Sequence, residues 1–228
     1  SDTPFDVVER PIPLRADNHL YRELEVETKS QLTWSAVYDG EGGLAVISSG
    51  MSEGAVRDQA DRPLALTLFR ATRRTVLTNG EPNGQLLGDL HFRYWIAPLA
   101  AAPDRVALCR LGQQLAAGVR AAQLRTADLA LHRAAQALPP VSSLLQVDGP
   151  AVVTSARWIG GALEVRMFNP TTAAGAALLR WGAGLPAATT QEVDAESNPL
   201  ADEHPVVDGQ AAIQLGAKQI KTVRVAMA

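Results

Sequence analysis

At 228 residues, with a formal net charge of −3 and an isoelectric point near 5.8, the chain has room for one large β-domain or two smaller ones. It carries no basic excess for a phosphate backbone, which excludes nucleic acid as an expected partner. No apolar run reaches the roughly 20 residues that span a bilayer, and the opening "SDTPFDVVERPIPL" lacks the apolar block of a signal peptide. The expectation is a cytoplasmic protein that does not engage a membrane.

From Phe5 to about Pro98 short apolar runs alternate with Gly, Pro and Asn, the pattern of antiparallel strands and their turns. The predicted strands are "FDVVER", "TWSAVYD" (33–39), "GLAVISS" (43–49), "LALTLFR" (64–70) and "HFRYWIA" (91–97). The stretch "GGLAVISSGMSEGAVRD" (42–58) reads as two strands joined by a turn, a hairpin. In "LALTLFR" both faces are largely apolar, which predicts a central strand covered on both sides.

After Pro103 the period changes. "DRVALCRLGQQLAAG" places Leu108, Leu111 and Leu115 at helical spacing behind a Pro-Asp start, predicting one amphipathic helix over 103–118. The single cysteine, Cys109, lies in it and is expected as a buried thiol, since no second cysteine exists to pair with it. The alanine-rich stretch 119–140 is read as an extended connector.

From Val141 strands return as "VSSLLQV", "AVVTSARW", "GALEVRMFNP", "GAALLRWG", "QAAIQL" and "QIKTVRVAM", enough for a small sandwich. A Gly-Gly pair in "SARWIGGALEV" marks a hairpin, and Asn-Pro in "FNPT" ends a strand. The predicted organisation is 1–102 as part of a large β-sandwich, 103–140 as helix and connector, and 141–228 as a small C-terminal β-sandwich.

Catalytic signatures are missing. His19, His91, His132 and His204 are scattered without zincin-like spacing. The glycines of "NGEPNGQLLG" do not form a phosphate cradle, and the acidic stretch "DAESNPLADEHPVVDG" is broken by prolines and lacks a calcium loop's oxygen spacing. Ser49-Gly50 is no nucleophile elbow. Trp34, Tyr94, Trp95, Trp158 and Trp181 offer flat faces for sugar stacking, and core packing explains them equally well.

Several segments, taken in order, resemble the C-terminal β-region of glycoside hydrolase family 38, the class II α-mannosidases. They are "FDVVERPIPL", "TWSAVYDGEGGLAVISSGMSEGAVRD", "LALTLFRATRR", "GQLLGDLHFRYWIAPL", "LEVRMFNPT" and "KQIKTVRV". The resemblance implies a mainly β fold: an antiparallel β-sandwich, part of a large galactose-mutarotase-like sandwich, plus a smaller C-terminal β-sandwich with one short helix between. It implies an accessory role in a retaining, zinc-dependent α-mannosidase-type enzyme of mannose metabolism, supporting and bordering the active site. The partner is then the catalytic barrel of the same polypeptide, with carbohydrate as substrate of the intact enzyme. Zinc and the catalytic carboxylates belong to that barrel, and no cofactor, metal ligand or catalytic residue is expected within this chain.

Arg70 closes "LALTLFR" and matches an arginine of the family's corresponding strand, so the resemblance makes it a substrate-binding candidate. A salt-bridged strand terminus is the simpler reading. Arg73 and Arg74 follow in a more polar context. The alternative to the whole reading is a free-standing β-sandwich module that binds carbohydrate or protein without catalysis. Unpaired strand edges are expected to make the isolated chain a homo-oligomer.

Overall fold

The computed structural model describes residues 1–71, 85–121, 123, 141–182 and 186–228. Arg73, Arg74 and most of the stretch 119–140 read as a connector lie outside them. The fold is mainly β, built from antiparallel sheets with one α-helix among the described residues. The chain divides into two compact units, Ser1–Ala117 and Gly118–Ala228.

In the first unit β1 (Asp2–Thr3) pairs with β2 (Asp6–Val7). One three-stranded sheet runs β3 (Lys29–Ser30), β6 (Glu53–Val56), β7 (Leu64–Leu66), and another runs β4 (Trp34–Tyr38), β5 (Gly43–Ser48), β8 (Tyr94–Leu99). The segment 42–58 is therefore not a hairpin within one sheet: β5 and β6 are consecutive strands of different sheets. The hairpin is instead β4–β5, closed by an Asp39 N–H to Gly42 carbonyl bond of 3.1 Å. The Asp39 carboxylate accepts the Glu41 and Gly42 amides at 2.9 and 2.8 Å, and Gly40 takes φ +107°, a conformation that glycine tolerates.

Away from the turn the same two arms continue as β3 and β6, so one long ribbon passes through both sheets. At the corner the Gln31 amide donates to Ser52 O (2.9 Å) and the Ser48 amide to Thr33 O (2.7 Å). The short stretch 31–33 thus faces the longer stretch 48–52, and that excess on one side bends the ribbon. Gln31 braces the bend, its Nε2 donating to Ser48 Oγ at 3.1 Å and to Met51 O at 3.0 Å.

β7 departs from its expected role. It spans three residues at the edge of its sheet, and Leu68 and Phe69 beyond it are exposed. Two apolar faces specify burial on both sides only when something covers them, and alternation does not say what.

The helix α1 (Arg105–Ala117) starts as read: Asp104 caps it by accepting the Ala107 amide at 3.0 Å, and Gly118 with φ +65° follows its end. Its buried face is Leu108, Cys109 and Gly112, whereas Leu111 is exposed. Gly112 meets the corner, since a Cβ there would stand 2.2 Å from Thr33 Oγ1.

The second unit is a sandwich. Its five-stranded sheet runs β10 (Val152–Ile159), β11 (Ala162–Phe168), β16 (Ile220–Met227), β13 (Ala187–Val193), β14 (His204–Pro205). The three-stranded sheet runs β15 (Gln210–Leu215), β12 (Gly175–Trp181), β9 (Leu145–Asp148). Leu163, Val165 and Met167 alternate along β11 and meet Ala177, Leu179, Leu215, Val223 and Val225 in one core. Gly160 and Gly161, at φ +57° and +83°, close the β10–β11 hairpin expected at "SARWIGGALEV". β11 ends at Phe168, before Asn169-Pro170. Asn169, fully buried, donates to Ala173 O and Gly216 O at 2.8 Å each and accepts from Thr171, so every polar atom of its amide is used.

Candidate functional site

Arg70 lies four residues beyond the end of β7, and its Nε donates to Glu53 Oε2 on β6 at 2.6 Å. Its side chain is 63% exposed. The neighbouring Phe69 stacks on Phe92 with centroids 6.0 Å apart. Arg70 therefore sits at the surface with part of its guanidinium fork held by a carboxylate.

A cleft of about 600 Å³ lies in the first unit, bordered by β4, by 54–56 of β6, by 7–12 and by 102–105. Its ionic groups already have partners. Arg105 pairs with Glu9, Lys29 with Glu25 at 2.7 Å, and Arg57 outside the cleft pairs with Glu27 at 2.8 Å. Arg10 donates to Ser1 Oγ and to Ser30 O. The Asp58 amide and then Arg57 hold Glu27 below the ordinary carboxylate range, and Lys29 followed by the Arg15 amide does the same for Glu25.

Among the described residues two buried carboxylates stand out, and each is consumed by its surroundings. Asp2 is 4% exposed. Its Oδ1 accepts the amides of Leu32, Thr33 and Trp34 at 3.1, 2.8 and 2.8 Å, and its Oδ2 accepts the Thr33 hydroxyl at 2.6 Å. Glu164, 1% exposed, lies on β11 directly between Arg157 of β10 and Arg224 of β16. It accepts from Arg224 at 2.9 Å, Ser197 Oγ at 3.0 Å and Arg157 at 3.3 Å. Burial works to raise its pKa, and the bonds from Ser197, Arg224 and Arg157 outweigh that and lower it. The acidic stretch 194–208 is tied to the sheet here, because Arg224 also donates to Ser197 O at 3.0 Å. Periodicity alone hides Glu164. Its signal is a pair of charged residues, Glu164 and Arg166, within the otherwise apolar "ALEVRMF".

The aromatic residues do not form a platform. Trp34 and Trp181 are core residues, 2% and 8% exposed, and the indole N–H of each is buried without a partner. Tyr94 and Trp95 are successive residues of β8 and point to opposite faces. Trp158 is 58% exposed in the second unit. Cys109 is buried, as expected. Among the described residues no group of His, Cys, Asp or Glu is arranged to hold a metal ion.

No family model matches the sequence, and no curated protein does. Solved structures do. An α-mannosidase from Enterococcus faecalis V583 is similar to this chain at a TM-score of 0.74 and 22% identity, over 98% of this chain and 24% of that one. A protein of glycosyl hydrolase family 38 from Enterococcus faecalis is similar at a TM-score of 0.69 and 23% identity, over 96% of this chain and 24% of that one. The chain spans about a quarter of the length of both. Nearly all of it, both units included, is thus accounted for by one part of a longer enzyme, and its fold is that of a β-rich portion of the glycoside hydrolase family 38 α-mannosidases.

Proposed function

We propose that this chain is the C-terminal accessory β-portion of a retaining, α-mannosidase-like glycoside hydrolase, supporting and bordering an active site that the rest of the polypeptide supplies. The observation that carries this reading is the asymmetry of the structural match, which takes in 98% of this chain and 24% of the solved α-mannosidase. The chemistry of the buried groups agrees with it. Retaining hydrolysis needs one carboxylate as nucleophile and a second group as acid and base, on either side of the sugar. Asp2 and Glu164, the buried carboxylates, are saturated by main-chain amides and by two arginines with a serine, which leaves neither to attack an anomeric carbon. In this reading zinc is held by the remaining polypeptide.

Arg70 is the residue of this chain assigned to the substrate. Glu53 holds its Nε and so orients the rest of the guanidinium, whose donors suit sugar hydroxyls. The test compares the full polypeptide encoded by the gene with the 228-residue chain, on an aryl α-mannoside with zinc. Hydrolysis by the full polypeptide, lost on chelation, and none by the chain alone is expected. A full polypeptide that binds sugar or protein and hydrolyses nothing would replace this reading with that of a binding module.

A further inference from the structure

The ladder between β4 and β5 has a fixed phase. Thr33 and Asp39 each make a main-chain bond with the partner arm, Ser48 N–H donating to Thr33 O and Asp39 N–H to Gly42 O. Antiparallel pairing alternates, so Ser35 and Val37 face β5 while Trp34, Ala36 and Tyr38 turn their N–H and C=O groups to the other side. The Trp34 amide confirms this, since it is taken by Asp2 Oδ1 at 2.8 Å. β4 is the edge of its sheet, and beyond Trp34 nothing among the described residues pairs with Ala36 or Tyr38. Residues 34–38 also line the cleft of about 600 Å³.

The opposite edge of the sheet is interrupted at one outward position. β8 carries Pro98, which has no N–H to offer. β4 has no proline, and Arg105, Glu9, Lys29 and Glu27 of the cleft are already held in ion pairs. The edge of β4 therefore offers unmet main-chain bonding capacity, the signature of a site for an added strand.

We propose that an extended segment of the remaining polypeptide lies in this cleft and adds to the sheet as a further strand along β4, pairing with Ala36 and Tyr38. The inference rests on the reading above for the existence of that polypeptide, and the occupant follows from the coverage: about three-quarters of each matched chain lies outside the part this chain resembles. Recognition is by backbone, so it tolerates varied sequence in the incoming strand.

Residue-resolved amide hydrogen exchange tests it, with the 228-residue chain and the full polypeptide measured side by side. Val37, bonded to β5, is protected in both and serves as the internal reference. Ala36 and Tyr38 exchange rapidly in the chain alone and slow at least 100-fold in the full polypeptide. A second arm uses Ala36→Pro, which removes the outward N–H and leaves the bonds to β5 in place. It is expected to keep the melting temperature of the 228-residue chain and to restore rapid exchange at Tyr38 in the full polypeptide. Rapid exchange at both amides in the full polypeptide overturns the proposal, whether or not that polypeptide hydrolyses mannosides. Concentration-dependent protection in the chain alone also overturns it, in favour of a second copy as occupant. An inactive polypeptide that still protects both amides would leave the added strand standing and remove only the enzymatic reading.

Discussion

The Asp2 carboxylate accepts the Trp34 amide at 2.8 Å across 32 residues of sequence, and through that bond it caps the start of a free strand edge. Thr33 adds its amide and its hydroxyl to the same carboxylate. Asp2→Ala leaves these buried donors without acceptors, at a cost of about 2–3 kcal/mol. Asp2→Asn, which keeps one acceptor oxygen, should cost less. Urea denaturation of the three proteins, followed by tryptophan fluorescence, reports the order.

Gly112 of α1 is the second position where the corner is exposed to substitution. Alanine is the better helix former by about 1 kcal/mol, yet its Cβ would lie 2.2 Å from Thr33 Oγ1 and 2.9 Å from Thr33 Cβ. Overpacking of this kind costs about 1–3 kcal/mol. Gly112→Ala is therefore expected to destabilise the first unit, and a raised melting temperature would show that the helix moves away freely.

In the second unit Glu164→Ala strands Arg157 and Arg224 and should cost about 3 kcal/mol, the low end for a buried pair because both arginines remain partly in water. The pH dependence has a definite sign. The folded-state pKa of Glu164 is lowered, so its contribution is complete above the ordinary glutamate value of about 4.3 and is lost as pH falls through the lower folded value. Asp194, lowered by its bonds from Asn198, acts in the same direction. Denaturant titrations should show stability dropping below that range, with a shallower drop in Glu164→Gln.

Arg70→Ala in the full polypeptide is expected to lower kcat/KM by about tenfold or more, about 1.4 kcal/mol of transition-state stabilisation. Stability should barely change, because its pair with Glu53 is largely exposed. Arg57→Ala, which removes a comparable exposed pair with Glu27, is the control. Equal kinetics for both variants would make Arg70 an ordinary surface residue.

The strands of this fold were easier to read than their partners. Alternation located β4, β5, β8 and most of the second unit, since a period of two reports which face is buried. Pairing is not a local property. "ISSGMSEGA" contains two strands that go to different sheets, and the bend depends on Gln31 and Thr33, which lie some twenty residues away. β13 escaped because "AATTQEV" is polar on one face and carries Thr190 and Glu192 on the other. β7 was overread because Leu68 and Phe69 suggested cover that the described residues do not supply. As for the site, Arg70 was visible only through resemblance, and neither the Asp2 clasp nor the Glu164 cluster had a spacing that announced it.

The ribbon that runs through both sheets of the first unit also decides how that unit comes apart. Sheets joined only by loops can open one at a time, each as its own foldon. Here β3 with β4, and β5 with β6, are single arms that cross the corner, so loss of pairing in one sheet slackens the other. The Asp2 clasp and the Gln31 brace sit at the crossing, where both sheets share them. The first unit is consequently expected to melt in a single cooperative step, with damage at the bend felt both at the Asp39 turn and in β6.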